Sequence, residues 1–309
     1  MNHSAEKDGA ELDMAYLTTM LRQQAQRRQL YENIAILGCG YVGSALASAW
    51  QVQGHFVTGT TTRQERVTSL QPLLSKVVLM KGEDMSAMQS LIHNQDTVVV
   101  SVAPTGASKA SASTYETTYL STARNLLQAI QQMPSVKQVI YLSSCSVYGD
   151  LQGGWVDEDT PVDPPDPRSQ ALYKAEQIIA SANNQQTKVC ILRLGGIYGP
   201  SRELLATLGG LAGMTLPGKG DRIINWVHRD DIIGAIEFAR LKKLEGIYNL
   251  VNDSQLTFKE QLKSVCAQYG LPKVHWAPNQ LSLEGKSARV SNKKLKASGY
   301  QFIYPQLLN

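Results

Sequence analysis

Cysteine is scarce in this chain of 309 residues: Cys39, Cys145, Cys190 and Cys266 are its only thiols, and no two of them form a C-x-x-C pair. Such scatter argues against both a zinc site and a disulfide scaffold, so no metal is expected, and the cytoplasm, a reducing compartment, fits best. Long apolar runs are absent as well. Nothing approaches the length of a membrane span, and the first residues lack the basic-then-apolar order of a signal peptide. Charge of one sign is barely in excess, because 30 Lys and Arg face 26 Asp and Glu for a net +4. No stripe of basic residues is interleaved with aromatics, which argues against nucleic acid. The expected partner is therefore a small molecule, handled by a chain long enough for one large or two modest domains.

What stands out is one stretch, Ile34-Ala35-Ile36-Leu37-Gly38-Cys39-Gly40-Tyr41-Val42-Gly43. An apolar run that reads as a buried strand meets glycines at G-x-G-x-x-G spacing, and an alanine-rich helical segment, Ser44 to Trp50, follows at once. Gly38 permits a tight turn, Gly40 lets backbone approach a pyrophosphate, and Gly43 allows close packing of helix on strand. The helix start offers unpaired N–H groups to the phosphates. Dinucleotide binding by Gly38, Cys39, Gly40, Tyr41, Val42 and Gly43 is the expectation.

A second absence refines it. The next strand, His55 to Thr60, ends where an NAD-binding unit would place Asp or Glu against the ribose 2′-hydroxyl. This chain has Thr60-Thr61-Thr62-Arg63 there. Hydroxyls and a guanidinium suit a 2′-phosphate, since arginine matches phosphate oxygens with forked, charge-assisted bonds. Thr60, Thr61 and Arg63 thus favour NADP(H), with NAD(H) as the alternative.

Strand and helix signals then alternate as a doubly wound α/β sheet requires: Lys76 to Met80, Met85 to His93, Asp96 to Val102, a long helix from about Thr114 to Gln132, and the strand Gln138 to Leu142. Val102, Ala103 and Pro104 lie at a carboxyl edge, where ligands sit in open α/β sheets, with Thr105 next as a substrate contact. Leu151 to Pro167 is too rich in proline for regular structure. A helix over Ser169 to Ala182 and a strand over Lys188 to Leu194 follow. Past Pro200 the alternation loosens, though Thr257 to Tyr269 reads as a helix opened by a Thr257/Glu260 capping box. This divides the chain into an N-terminal extension (1–31), a Rossmann domain (32–200, with 222–251 returning to it) and a smaller substrate lobe (201–221 and 252–309). The extension carries a helical piece, Glu11 to Gln29, read as a solvated leader or as an arm that docks on a neighbouring subunit.

From Asn33 to about Tyr304 the sequence resembles an extended short-chain dehydrogenase/reductase of the NAD-dependent epimerase/dehydratase type. The glycine turn, Leu142-Ser143-Ser144 through Val147-Tyr148-Gly149-Asp150, Trp155 through Pro161, Leu192-Arg193-Leu194 through Gly199-Pro200, and Trp226 through Asp231 carry the resemblance. That family usually spaces its glycines G-x-x-G-x-x-G, and here Leu37 fills the first place. The resemblance implies proton chemistry by a Tyr-x-x-x-Lys pair assisted by a serine, and a dimer. Ser144 matches the serine and Lys174 the lysine that binds the nicotinamide ribose, whereas Gln170 stands where tyrosine belongs. Glutamine cannot exchange a proton near neutral pH. Ser144, Tyr148, Tyr198, a phenol from Tyr115 or Tyr119, or a water remain as sources of the proton. Gly196 and Ile197 are implied to lie near the nicotinamide. Tyr198 and Arg202 are candidate substrate contacts, Arg202 for an anionic group. The expected activity is oxidoreduction, or redox-assisted epimerisation or dehydration, of a small hydroxyl- or carbonyl-bearing molecule; the alternative is a non-catalytic NADP(H)-binding regulator.

Overall fold

The computed structural model describes residues 31–104, 111–162, 164, 166–280 and 285–308. Within them runs a seven-stranded, wholly parallel sheet: β1 (Asn33–Leu37), β2 (Phe56–Thr61), β3 (Lys76–Leu79), β4 (Thr97–Val100), β5 (Gln138–Ser144), β7 (Lys188–Leu194) and β11 (Gly246–Leu250). Their spatial order is β11-β7-β5-β4-β1-β2-β3, so the strand order reverses between β1 and β4. This is the doubly wound α/β fold, whose ligand crevice opens at that reversal. The central strand β4, Thr-Val-Val-Val, is buried along its whole length, as a parallel strand covered on both faces must be.

Two apolar layers sandwich the sheet. On one face α1 (Tyr41–Val52) packs through Val42, Leu46, Ala47 and Trp50, joined by Ile232, Ala235, Ile236 and Ala239 of α8 (Arg229–Lys242). On the other, α3 (Met85–Ile92), α5 (Thr122–Gln132) and α6 (Pro167–Ala180) bury Met88, Leu91, Leu126, Ala129, Leu172, Ala175 and Ile179. The helix expected from about Thr114 to Gln132 is present without a break from Ala112 to Gln132, but it is not α-helical throughout. It comprises α4 (Ala112–Glu116), a π-helical turn (Thr117–Ser121) and α5. A π turn inserts one extra residue per repeat and shifts the facing side chains, and such turns recur at functional sites.

Beyond the sheet lie three two-stranded parallel ladders: β8 (Gly196–Tyr198) with β10 (Trp226–His228), β9 (Thr215–Pro217) with β12 (His275–Ala277), and β6 (Trp155–Val156) with β13 (Arg289–Val290). A smaller lobe gathers its own core from Tyr198, Leu204, Leu208, Leu216, Trp226, Phe258, Leu262 and Val265, whereas Val156 and Val290 of the β6/β13 ladder pack with the sheet. The proline-rich segment, expected to be irregular, includes β6 because Arg289 and Ser291 donate backbone bonds to the carbonyls of Gly154 and Val156. Helix α9 (Phe258–Gln268) opens with the predicted capping box, Thr257 Oγ1 accepting from the Glu260 amide and Glu260 from the Thr257 amide. No described helix is long and apolar enough to cross a membrane. The helix expected at Glu11 to Gln29 lies outside the described residues.

Candidate functional site

The three glycines after β1 serve three different needs. Gly38 has φ +92°, and a Cβ there would stand 2.6 Å from the Ser101 carbonyl oxygen. At Gly43 a Cβ would stand 2.3 Å from the carbonyl oxygen of Gly38. Among the described residues no atom stands within 4 Å of a hypothetical Cβ on Gly40, which faces open space. That space belongs to a cleft of about 840 Å³ lined by residues 37–42, Thr60 to Arg63, Arg66, Val102, Ala103 and Pro104, and closed by Leu142, Ser143, Leu194 and Ile197 at the far end. A dinucleotide fits here on the chain's own terms, because a side chain at Gly40 would occupy the backbone approach that a pyrophosphate requires.

The threonines that end β2 support the turn. Thr60 Oγ1 accepts from the Gly38 amide at 2.9 Å, and Thr61 Oγ1 accepts from the Arg63 amide at 3.2 Å. Both side chains line the cleft while their hydroxyls are engaged internally. No carboxylate ends the strand. Arg63 lies at the cleft wall, its Nε 3.8 Å from Glu65, with about half of its side chain exposed. A second guanidinium, which the sequence did not single out, stands deeper: Arg66 Nη1 donates to the Cys39 carbonyl at 2.7 Å and Nη2 to Ser44 Oγ at 3.2 Å. At the opposite side of the turn the Tyr41 hydroxyl donates to the Pro200 carbonyl at 2.8 Å, and Arg202 stacks on its ring at 4.2 Å. Burial raises the Tyr41 pKa despite the nearby arginines.

Under the far end of the cleft lies an ion pair. Arg193 on β7 and Glu176 on α6 meet at 2.7 Å with side chains 2% exposed, and Ser143 donates to the same carboxylate at 2.5 Å. The Arg193 guanidinium stacks on the Tyr148 ring at 4.8 Å, and the Tyr148 hydroxyl donates to Asn249 at 2.8 Å. Tyr148 is thus built into the core, and burial pushes its pKa up to about 12. Ser144, next to Ser143, is half-buried and, unlike Ser143, is not among the residues lining the cleft; its Oγ accepts from the Ser146 amide at 3.1 Å, which leaves its own proton available.

Helix α6 presents Ala171, Leu172, Ala175, Glu176 and Ile179 to the core, whereas Gln170 and Lys174 are exposed and do not line the cleft. Gln170 donates instead to the Pro164 carbonyl at 3.1 Å. At 100° per residue, positions four and eight before Glu176 share its face. Leu172, four before it, is buried, whereas Arg168, eight before it, is exposed, and no residue of α6 lines the cleft. The sequence register built on Lys174 had no means of seeing this, since it counted spacing without knowing which face is buried. Arg168 instead stacks over Tyr115 at 5.3 Å. The π turn brings Thr117, Thr118 and Tyr119 to the cleft wall, and burial raises the Tyr119 pKa. Tyr198 is buried in the lobe core, its pKa pushed up to about 12 by that burial. Ile197 and Arg202 line the cleft, while Gly196 packs under the Trp226 ring. Thr105 lies outside the described residues. Among the described residues no cluster of His, Cys, Asp and Glu is arranged to hold a metal.

A glycine-turn cleft at the switch point of a parallel sheet is what one family model matches, over residues 34–250: the NAD dependent epimerase/dehydratase family. The chain belongs to that family. Protein YeeZ of Escherichia coli K12 is 29% identical over 292 residues, which cover 90% of this chain and 98% of YeeZ. A structure from Methylobacillus flagellatus, assigned provisionally as an NAD-dependent epimerase/dehydratase, superposes with a TM-score of 0.69 at 27% identity, covering 89% and 94% of the two chains. DesIV, a dTDP-glucose 4,6-dehydratase from Streptomyces venezuelae solved with NAD and TYD bound, shares the fold at TM-score 0.71 and 19% identity, covering 87% and 92%. Family membership and the cleft together support binding of a nicotinamide dinucleotide.

Proposed function

We propose that this family member binds NADP(H) along the carboxyl edge of its sheet and carries out an oxidoreduction, or a redox-assisted epimerisation or dehydration, on a small hydroxyl- or carbonyl-bearing substrate. One observation carries the reading: the glycine turn leaves Gly40 open toward a cleft whose ribose end holds Arg63 and Arg66 and no carboxylate at the end of β2. The nicotinamide, when bound, exchanges hydride with a substrate carbon. The chain's own groups position and polarise. Gly38, Cys39, Gly40, Tyr41, Val42 and Gly43 cradle the pyrophosphate, and Val102, Ala103, Pro104 and Ile197 line its path. Ser144, whose oxygen already accepts one bond, directs its proton at the substrate oxygen. Arg202, held on the Tyr41 ring, offers a fork to an anionic substituent.

Proton delivery is the weak point of this machinery. Burial raises the pKa of Tyr119, Tyr148 and Tyr198, so each holds its proton more firmly than a free phenol. A bound water polarised by Ser144 is the proton source this arrangement favours. The absence of any α6 side chain from the cleft lining, with Gln170 where the family's tyrosine is expected, also favours a second reading, a non-catalytic NADP(H)-binding regulator. Titration of the purified chain with NADPH and with NADH, followed by nicotinamide fluorescence, tests the first statement. Consumption of NADPH with a carbonyl panel separates the two readings. Tight NADPH binding with turnover supports the enzyme, tight binding without turnover the regulator, and failure to bind either nucleotide overturns both.

A further inference from the structure

The cofactor reading above leaves open which group reads the 2′-phosphate. Arg63 follows β2 directly, but its guanidinium is exposed and turned to Glu65 at 3.8 Å. Two constraints place Arg66 differently. The 3₁₀ turn Gln64–Arg66 doubles the chain back toward the glycine turn, and two hydrogen bonds, to the Cys39 carbonyl at 2.7 Å and Ser44 Oγ at 3.2 Å, fix the guanidinium there. Ser44 Oγ itself donates to the Cys39 carbonyl at 2.8 Å, which closes a small ring of hydrogen bonds. Arg66 also forms part of the wall of a neighbouring cavity of about 340 Å³, together with Gly40, Tyr41, Ser44, Ser48 and Arg229. It therefore sits at the partition between two hollows. A pre-positioned fork loses less rotamer freedom on binding than a solvated one, so it contributes more per hydrogen bond formed.

We infer that Arg66, not Arg63, is the residue by which this chain distinguishes NADP(H) from NAD(H). Resting on the NADP(H) reading, this assigns specificity to a guanidinium braced by the same carbonyl that follows the first glycine. Arg66 binds two groups of the protein through two of its five N–H donors and keeps the rest for an anion. Arg63 adds a screened, outer charge.

The test compares dissociation constants for NADPH, NADH, 2′,5′-ADP and ADP in the parent chain and in Arg66→Ala, Arg66→Lys and Arg63→Ala. Charge-assisted bonds of ordinary strength predict that Arg66→Ala weakens NADPH and 2′,5′-ADP by roughly ten- to hundredfold relative to NADH and ADP. Arg66→Lys, which keeps the charge but not the fork, recovers part of the difference, and Arg63→Ala costs about threefold or less. Equal weakening of all four ligands by Arg66→Ala overturns the inference and makes Arg66 a brace of the turn alone. So does a preference lost only in Arg63→Ala. A parent chain indifferent to the 2′-phosphate defeats the NADP(H) reading itself, an outcome visible before any variant is made.

Discussion

Replacing Glu176 by glutamine keeps shape and removes one charge, which isolates the energetics beneath the cleft. In the folded chain the Glu176 carboxylate receives Arg193 Nε at 3.1 Å, Arg193 Nη2 at 2.7 Å and Ser143 Oγ at 2.5 Å, with both ion-pair side chains 2% exposed. Arg193 Nη1 has no hydrogen-bond partner. The variant leaves that guanidinium buried with only the Tyr148 ring and an amide oxygen facing it. Breaking a buried pair from one side costs about 3–5 kcal/mol. At about 1.5 °C per kcal/mol for a chain of 309 residues, the midpoint should fall by roughly 5–8 °C. The double change Glu176→Leu with Arg193→Leu removes both charges together and should cost far less than the two single changes added, because the desolvation of both ions disappears with them. Urea unfolding followed by circular dichroism gives the cycle. A Glu176→Gln variant within about 0.5 kcal/mol of the parent, or a double variant equal to the sum of the singles, refutes the argument. Because Ser143 lines the cleft, the single variant should also bind dinucleotide more weakly.

Gly40→Ala should leave the unfolding midpoint unchanged, since its Cβ meets nothing within 4 Å, yet weaken dinucleotide binding at least tenfold as the methyl fills the pyrophosphate approach. Gly43→Ala should instead destabilise the fold by about 2 kcal/mol or more, with a Cβ 2.3 Å from the Gly38 carbonyl; thermal melts of the two variants side by side decide. Lys174→Ala, on an exposed position away from the cleft, should leave NADPH affinity within about twofold, and a larger loss in the fluorescence titration would restore its place beside the ribose. The Asp166 carboxyl, despite partial burial, is lowered to about 2 by bonds from Lys286 and Ser169. A depressed carboxyl stabilises above its unfolded pKa and loses that contribution as pH falls through the folded value. Lys286→Met should thus lower stability near neutrality, and its deficit should shrink between pH 4 and pH 2, as urea midpoints across that range would record.

Periodicity and glycine spacing made the sheet legible: β7 spans the anticipated Lys188–Leu194, and Gly38 and Gly43 stand at the tight turn and the close helix-strand contact expected of them. Local signals act within a few residues, and those two features are local. Arg66 was missed because a short 3₁₀ turn, not sequence adjacency to β2, decides which guanidinium reaches the glycine turn. Lys174 and Gln170 were matched to the family's Tyr-x-x-x-Lys pair, whereas the side of α6 that is buried carries Ala171, Leu172, Ala175 and Ile179 together with Glu176, whose partner Arg193 lies seventeen positions away on β7. The π turn left no mark in the hydrophobic pattern, since Tyr119, Leu120 and Ala123 still read as one apolar stripe. Directly after the turn, Gly82 packs so closely on Thr122 that a Cβ would overlap its hydroxyl, and Asn125 donates to the Gly82 carbonyl at 3.0 Å.

The ladder between β6 and β13 sets a timetable for synthesis. The segment after Tyr148 is fastened by Ser287, whose carbonyl receives the amides of Leu151 at 3.0 Å and Gly153 at 2.9 Å, and whose own amide donates to Asp150 at 3.0 Å. These bonds join positions more than 130 apart in the chain. At about 5–20 residues per second the segment leaves the ribosome on the order of ten seconds before its partner strand exists. Until then Trp155 and the backbone groups of β6 have nothing to pair with, while the glycine turn and β1 to β5, all made earlier, can already assemble. The rim beside the cleft is thus the part of the fold that depends on the last residues of the chain to be made.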